Sequence, residues 1–235
     1  MFQSCKNLSS VPLFDTSKVT NMQLMFSTCL ALTSVPLFDT SSVTDMYQMF
    51  DNCSKLMEVP QFNTSKVTRM QGMFNSCFDL TSVPQFDTSR VTDMASMFNS
   101  VRAITVIPEL DMRAVTKASN MFNGCWVVTD IRVRNIKTNL QVASGMTYGH
   151  LLTVDSLVHL IYELRNTDSA KTLTIGSTNL EKLANVYVKL VDITDEMRAE
   201  DDLIDEKLPF VVCESTDEGA TLITSYVSAK NWALA

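Results

Sequence analysis

Six cysteines, two histidines and one dense run of carboxylates are the residues of this chain whose types could do chemistry. Five of the cysteines, Cys5, Cys29, Cys53, Cys77 and Cys125, recur at multiples of 24 residues, with Val101 in the place the series leaves open. Metal-binding thiolates come in short C-x-x-C pairs, and a site that needed sulfur would not accept valine. The column therefore predicts buried free thiols. Disulfides between adjacent repeats are the alternative, since neighbouring units could come within reach although their side chains would run parallel. Cys213 lies in an apolar strand context, which favours an inert buried thiol over a nucleophile. His150 and His159 flank a helix start, with no serine, cysteine or carboxylate forming a recognisable catalytic set around them. The acidic run over 192–206 lacks the D-x-D-x-D-G loop of a calcium site. Its Met197, Leu203 and Ile204 suggest one buried face, so it reads as a solvated acidic helix or loop. Neither catalysis, nor a metal, nor a cofactor is expected.

The cysteine spacing belongs to a larger period. Met-Phe recurs at Met1, Met25, Met49, Met73, Met97 and Met121 without insertion or deletion. A representative unit carries Met25, Phe26, Cys29, Leu32, Val35, Pro36, Phe38, Asp39, Thr40, Ser41, Val43, Thr44 and Met46 at fixed offsets. Val43, Met46, Met49, Phe50 and Cys53 have the spacing of one apolar helix face, and Asp39-Thr40-Ser41 supplies N-cap oxygens before it, which predicts a short helix. Leu32, Val35 and Phe38 predict a brief strand entering a turn, with the proline column, Pro12 to Pro108, at the strand's end because proline removes a ladder donor.

A unit of this size cannot bury its apolar face alone. Stacked at the ~4.8 Å spacing of neighbouring strands, six units would form a rod roughly 25–30 Å long in which every column becomes a core stripe. The periodic Phe and Met residues are therefore expected in the core. The columns decay after Met97, where Val101 replaces Cys, Leu110 replaces Phe and Ala118 replaces Met, as they do toward the end of a solenoid.

The unit M-F-x-x-C-x-x-L-x-x-V-P-x-F-D-T-S-x-V-T-x-M resembles the BspA-type leucine-rich repeat of bacterial surface proteins, over residues 1 to about 145. The segments around 172–183 and 229–235 are similar to the closing segments of such proteins, which also occur in phage-encoded structural proteins of the same type. The resemblance implies an α/β leucine-rich-repeat solenoid over 1–145 and an α/β C-terminal cap over 146–235. It further implies an extracellular or cell-surface location and a role in attachment, with no catalytic residues. The stretch 186–216 departs from the short path expected between the closing segments.

After Trp126 the alternation over 131–136 predicts a half-buried strand, and 154–164 an amphipathic helix at the start of the cap. Strands are expected at 173–175 and 209–213, and helices at 180–190 and 220–229. The chain has a net charge of -7, but eleven acids and two bases fall between Asp192 and Glu218, leaving fifteen acids and seventeen bases elsewhere. No basic stripe suits a nucleic acid, and no apolar run is long enough for a membrane span.

A binding module is the function this pattern predicts. The variable positions on the strand side are its candidate surface, above all Leu13, Leu37, Met57, Glu58, Gln61, Gln85 and Glu109. They suit a protein or glycan ligand. A phage receptor-contacting protein and a plain structural spacer are the alternatives. Because Met1 opens a repeat, the apolar edge of the first unit is expected to be covered by an upstream segment or by a second copy packed end to end.

Overall fold

A computed structural model of the chain describes residues 1–136, a few residues between 138 and 160, and three further strands, Thr172–Ile175, Pro209–Thr216 and Gly219–Tyr226. Residues 24 apart in sequence are neighbours in space. Phe2, Phe26, Phe50, Phe74, Phe98 and Phe122 stack in one column, with successive ring centroids 5.6 to 6.1 Å apart and interplanar angles no greater than 19°. A second column places Phe14 against Phe38 and Phe62 against Phe86, and cross-contacts such as Phe26 with Phe38 tie the two together. Offset stacking at such separations adds to the burial of these rings. Met, Phe, Cys, Leu and Val of the repeat form one continuous buried cluster, and Val101 and Ala118 are buried in it as well.

The backbone that holds the units together differs from the expected helix and strand. Over 43–53 the chain makes successive turns, and no helix occurs among residues 1–136. Leu24, Gln48, Gly72, Ser96 and Asn120 all have positive φ, and so do Thr28, Asn52, Ser76, Ser100 and Gly124 four residues on. A left-handed residue every four positions prevents a continuous α-helical ladder. The N–H groups of Met46, Gln48, Phe50 and Asn52 instead donate to Arg69, Gln71, Met73 and Asn75 of the next unit at 2.7 to 3.0 Å. Alternate N–H groups close local turns, as from Met49 to the Met46 carbonyl and from Cys53 to the Phe50 carbonyl. The apolar spacing of three and four thus marks an inward face of tight turns.

Asp39-Thr40-Ser41 does not cap a helix. Asp39 Oδ1 accepts the Ser41 N–H in a two-residue turn, and Thr40 donates to the Asn63 carbonyl of the next unit. These oxygens satisfy backbone donors as expected of such residues, but what they close is an Asx turn.

Isolated parallel bridges join Asn21, Asp45, Arg69, Asp93 and Lys117, on the side opposite the expected strand position. The Leu32 to Phe38 region and its copies carry no strand until the fifth unit. There β1, Val106–Asp111, pairs in parallel with β2, Asp130–Arg134. Pro108 lies inside β1 rather than at its end, and the register shifts between Ile107 and Leu110, which is how a strand accommodates a residue without an N–H.

Beyond β2 the period continues in one contact, with the Thr153 N–H donating to Thr129 as Thr129 donates to Thr105. Ser156, His159 and Leu160, within the expected 154–164 helix, have helical backbone, and Leu152 and Leu160 are buried in the core cluster. A four-stranded sheet follows in the order β3-β4-β6-β5, where β3 is Leu140–Gln141, β4 Thr172–Ile175, β5 Pro209–Thr216 and β6 Gly219–Tyr226. β4 and β5 match expected strands, and β6 overturns the helix expected over 220–229. Thr221, Ile223, Thr224 and Tyr226 are β-branched or aromatic; all four pair antiparallel with β5, and Thr221 and Ile223 pair with β4 as well. The expected helix at 180–190, the acidic run, His150 and the 229–235 segment lie outside the described residues.

Candidate functional site

Leu13, Leu37, Gln61, Gln85 and Glu109 occupy one column and are all exposed, as are Met57 and Glu58 beside it. Leu13 and Leu37 are 67% and 59% exposed, so an apolar ledge on the first two units passes into amides and a carboxylate on the next three. The structure brings the amides together in a particular way. Gln61 Nε2 donates to the Gln85 carbonyl at 2.7 Å, and Gln85 Nε2 donates to the Glu109 carbonyl. Both donors thus lie along the stack, and each Oε1 remains as an acceptor. Glu109 pairs with Arg134 at 3.0 Å, and the Met57 backbone bridges Thr33 and Thr81.

Between the third and fourth units this column borders a shallow depression lined by Gln61, Phe62, Asn63, Thr64, Gln85 and Asp87. Asn63, Thr64 and Asp87 were not among the residues read from sequence as candidates. One signal pointed there, because Asn63 breaks a column that is Asp at 15, 39, 87 and 111. Asp87 Oδ1 accepts both the Ser89 hydroxyl at 2.7 Å and the Ser89 N–H, and those bonds hold its carboxyl below the ordinary carboxylate range. Asn63 Oδ1 accepts the same two groups from Ser65.

Thr64 departs from its column. Thr16, Thr40 and Thr88 each donate a hydroxyl to a carbonyl of the next unit at 2.8 to 3.1 Å, whereas the buried Thr64 Oγ1 has no partner among the described residues.

The thiol column has its own geometry. Cys29, Cys53, Cys77 and Cys125 are buried and unpaired, and each Sγ lies 3.0 to 3.1 Å from the carbonyl of Phe2, Phe26, Phe50 or Phe98 in the preceding unit. Burial pushes the Cys53 and Cys125 thiols up to about 12 and Cys77 well above its ordinary value. Cys5 is exposed, against the expectation for its column, because its place is in the first unit described.

Charged columns bind neighbouring units elsewhere. Arg69 lies 3.7 Å from Asp45 and Lys117 3.7 Å from Asp93, pairs exposed enough to contribute little. The guanidinium of Arg102 sits between Phe78 and Trp126, 4.3 and 4.4 Å from their ring centroids. Asp111 is buried, which alone would raise its pKa. Hydrogen bonds from Arg113 and Asn135, with the Arg134 charge, outweigh burial and keep it below the ordinary range. Among the described residues no group of His, Cys, Asp and Glu is arranged to hold a metal, and no helix is long and apolar enough to cross a membrane.

No curated protein and no solved structure matches the chain. One family model does, in two overlapping stretches, residues 1–106 and 55–146, which together take in every 24-residue unit, with β1, β2 and β3 inside them. The chain therefore belongs to the family described as Mycoplasma protein of unknown function, DUF285.

Proposed function

We propose that this chain is a non-enzymatic attachment module. In this reading the stacked units form a leucine-rich-repeat solenoid of the BspA type, displayed at a cell surface. The face bearing Leu13, Leu37, Met57, Glu58, Gln61, Gln85 and Glu109 contacts a protein or glycan ligand. The observation that carries the proposal is the position of the exposed apolar side chains. Among the described residues, apart from Met1, the large exposed ones are Leu13, Leu37, Met57 and Val106, and all fall at the ninth to thirteenth positions of their units. Every other apolar column is turned inward. Exposed apolar side chains gathered on one strip mark contact surfaces more often than scattered ones do.

A spacer is the second reading, favoured by the Gln61 and Gln85 amides, whose donors tie units together rather than face outward. Substitution Leu37→Glu separates the two. An attachment module loses adhesion to host cells or extracellular matrix while its melting temperature stays unchanged, because Leu37 is mostly exposed. Adhesion that survives this substitution and the matching Leu13→Glu would leave the spacer.

A further inference from the structure

The depression between the third and fourth units has an unequal supply of hydrogen-bonding groups. Gln61 and Gln85 direct their N–H donors at backbone carbonyls, so each offers Oε1. Asp87 engages Oδ1 with Ser89 and leaves Oδ2 as an acceptor. Asn63 engages Oδ1 with Ser65 and leaves its amide Nδ2 as a donor without a partner among the described residues. Thr64 lines the same depression, with its own unpartnered hydroxyl shut off from solvent beneath the surface. An unpaired buried hydroxyl is costly, and its counterparts at Thr16, Thr40 and Thr88 all avoid that cost.

Several acceptors and one amide donor complement a ligand dense in hydroxyl groups. Each sugar hydroxyl donates one hydrogen bond and accepts others, so a carboxylate and an amide side by side can hold a vicinal pair. Leu37, exposed one unit away in the Gln61 column, adds apolar surface for the C–H face of a pyranose ring. We propose that this depression is a subsite for a neutral glycan, with Asp87 accepting from one hydroxyl and Asn63 donating to its neighbour. The proposal rests on the attachment reading and narrows its ligand class at this position.

The repeat itself supplies conservative tests. Asn63→Asp and Asp87→Asn each install a residue that the same column already uses elsewhere, so the Asx turns persist while the donor and acceptor exchange places. The intact chain, labelled with ¹⁵N, is titrated separately with methyl α-mannopyranoside, methyl β-galactopyranoside and calcium chloride. The expected result is a shift of the Asn63 side-chain amide and of the Thr64 and Ser65 backbone amides with at least one glycoside, and a backbone-amide response weakened about tenfold by either swap, as the loss of one hydrogen bond requires. Thr64→Val, which removes a hydroxyl sealed from solvent, should leave glycoside binding unchanged.

No shift with either glycoside, shifts with calcium alone, or binding indifferent to both swaps would overturn the proposal. The attachment reading is judged separately by the Leu37→Glu adhesion assay, so a failed titration beside a positive adhesion result refutes the glycan subsite alone.

Discussion

At Cys29, Cys53, Cys77 and Cys125 the thiol fills a small slot and also supplies a weak donor to a phenylalanine carbonyl one unit back, a bond invisible in a column of identical letters. Val101 shows that the donor is dispensable where the volume is kept, so Cys77→Val is expected to cost less than about 1 kcal/mol. Burial favours the neutral thiol in the folded state. The stabilisation it brings is therefore complete below the ordinary value of 9.0 and is lost as pH rises toward about 12. Thiol counting at neutral pH should find Cys5 reactive and the four column thiols protected until denaturant is added, and melting temperature should fall progressively above pH 9. Rapid native reaction of all of them would contradict this burial. Phe74, fully buried in its ring stack, should lose roughly 3–5 kcal/mol on substitution by Ala. Gln85→Ala should lose about 0.5–1.5 kcal/mol, because its amide bonds the next unit, a role that its polar character and surface position in the sequence do not disclose. Chemical denaturation of the two variants gives both values, and equal losses would mean that the ring column and the amide column are equally buried.

The elements were legible to different depths. Inward columns could be read because identical apolar residues must pack on their own copies, and Phe26, Met46 and Leu56 are all buried as that argument requires. The conformation joining them could not, since an apolar spacing of three and four is shared by an α-helix and by turns punctuated with left-handed residues. Leu24, Gln48 and Ser96 at positive φ give no compositional warning, and only Gly72 and Gly124 in the same columns hint at it. The glycines also differ in their surroundings: a Cβ on Gly124 would meet the Ser100 backbone at 3.1 Å, while on Gly72 it would meet the movable Gln48 side chain. For the candidate site, the exposed column was visible as variable positions, but the orphan hydroxyl of Thr64 was hidden by its identity with Thr16, Thr40 and Thr88. The edge of β2 shows another arrangement beyond sequence reading. Ser156 Oγ contacts both the N–H and the carbonyl of Ile131, and His159 Nε2 lies 2.7 Å from the Val133 carbonyl, so side chains three apart cover backbone groups two apart. Ser156→Ala, which strips both partners from a buried backbone, is expected to cost about 1–3 kcal/mol by thermal denaturation. An unchanged melting temperature would show that other groups close that edge.

Among the described residues, hydrogen bonds, ring stacks and thiol contacts link each unit to its immediate neighbours, and those that cross between units join residues separated by about one repeat. A change of length in whole repeats therefore preserves every column, whereas a fraction of a repeat sets Phe against Asp. Deleting residues 25–48 should leave a cooperatively folded chain by circular dichroism, and deleting 25–36 should not. The charge column makes some boundaries better than others: removing 25–48 sets Asn21 beside Arg69, but removing 49–72 would set Asp45 against Asp93. In hereditary terms, slippage between near-identical repeats during replication adds or removes material in the same quantum that the fold tolerates. Such a lineage could lengthen or shorten its protein without a new core, while selection acted on which exposed residues each inserted copy brings to the outer face.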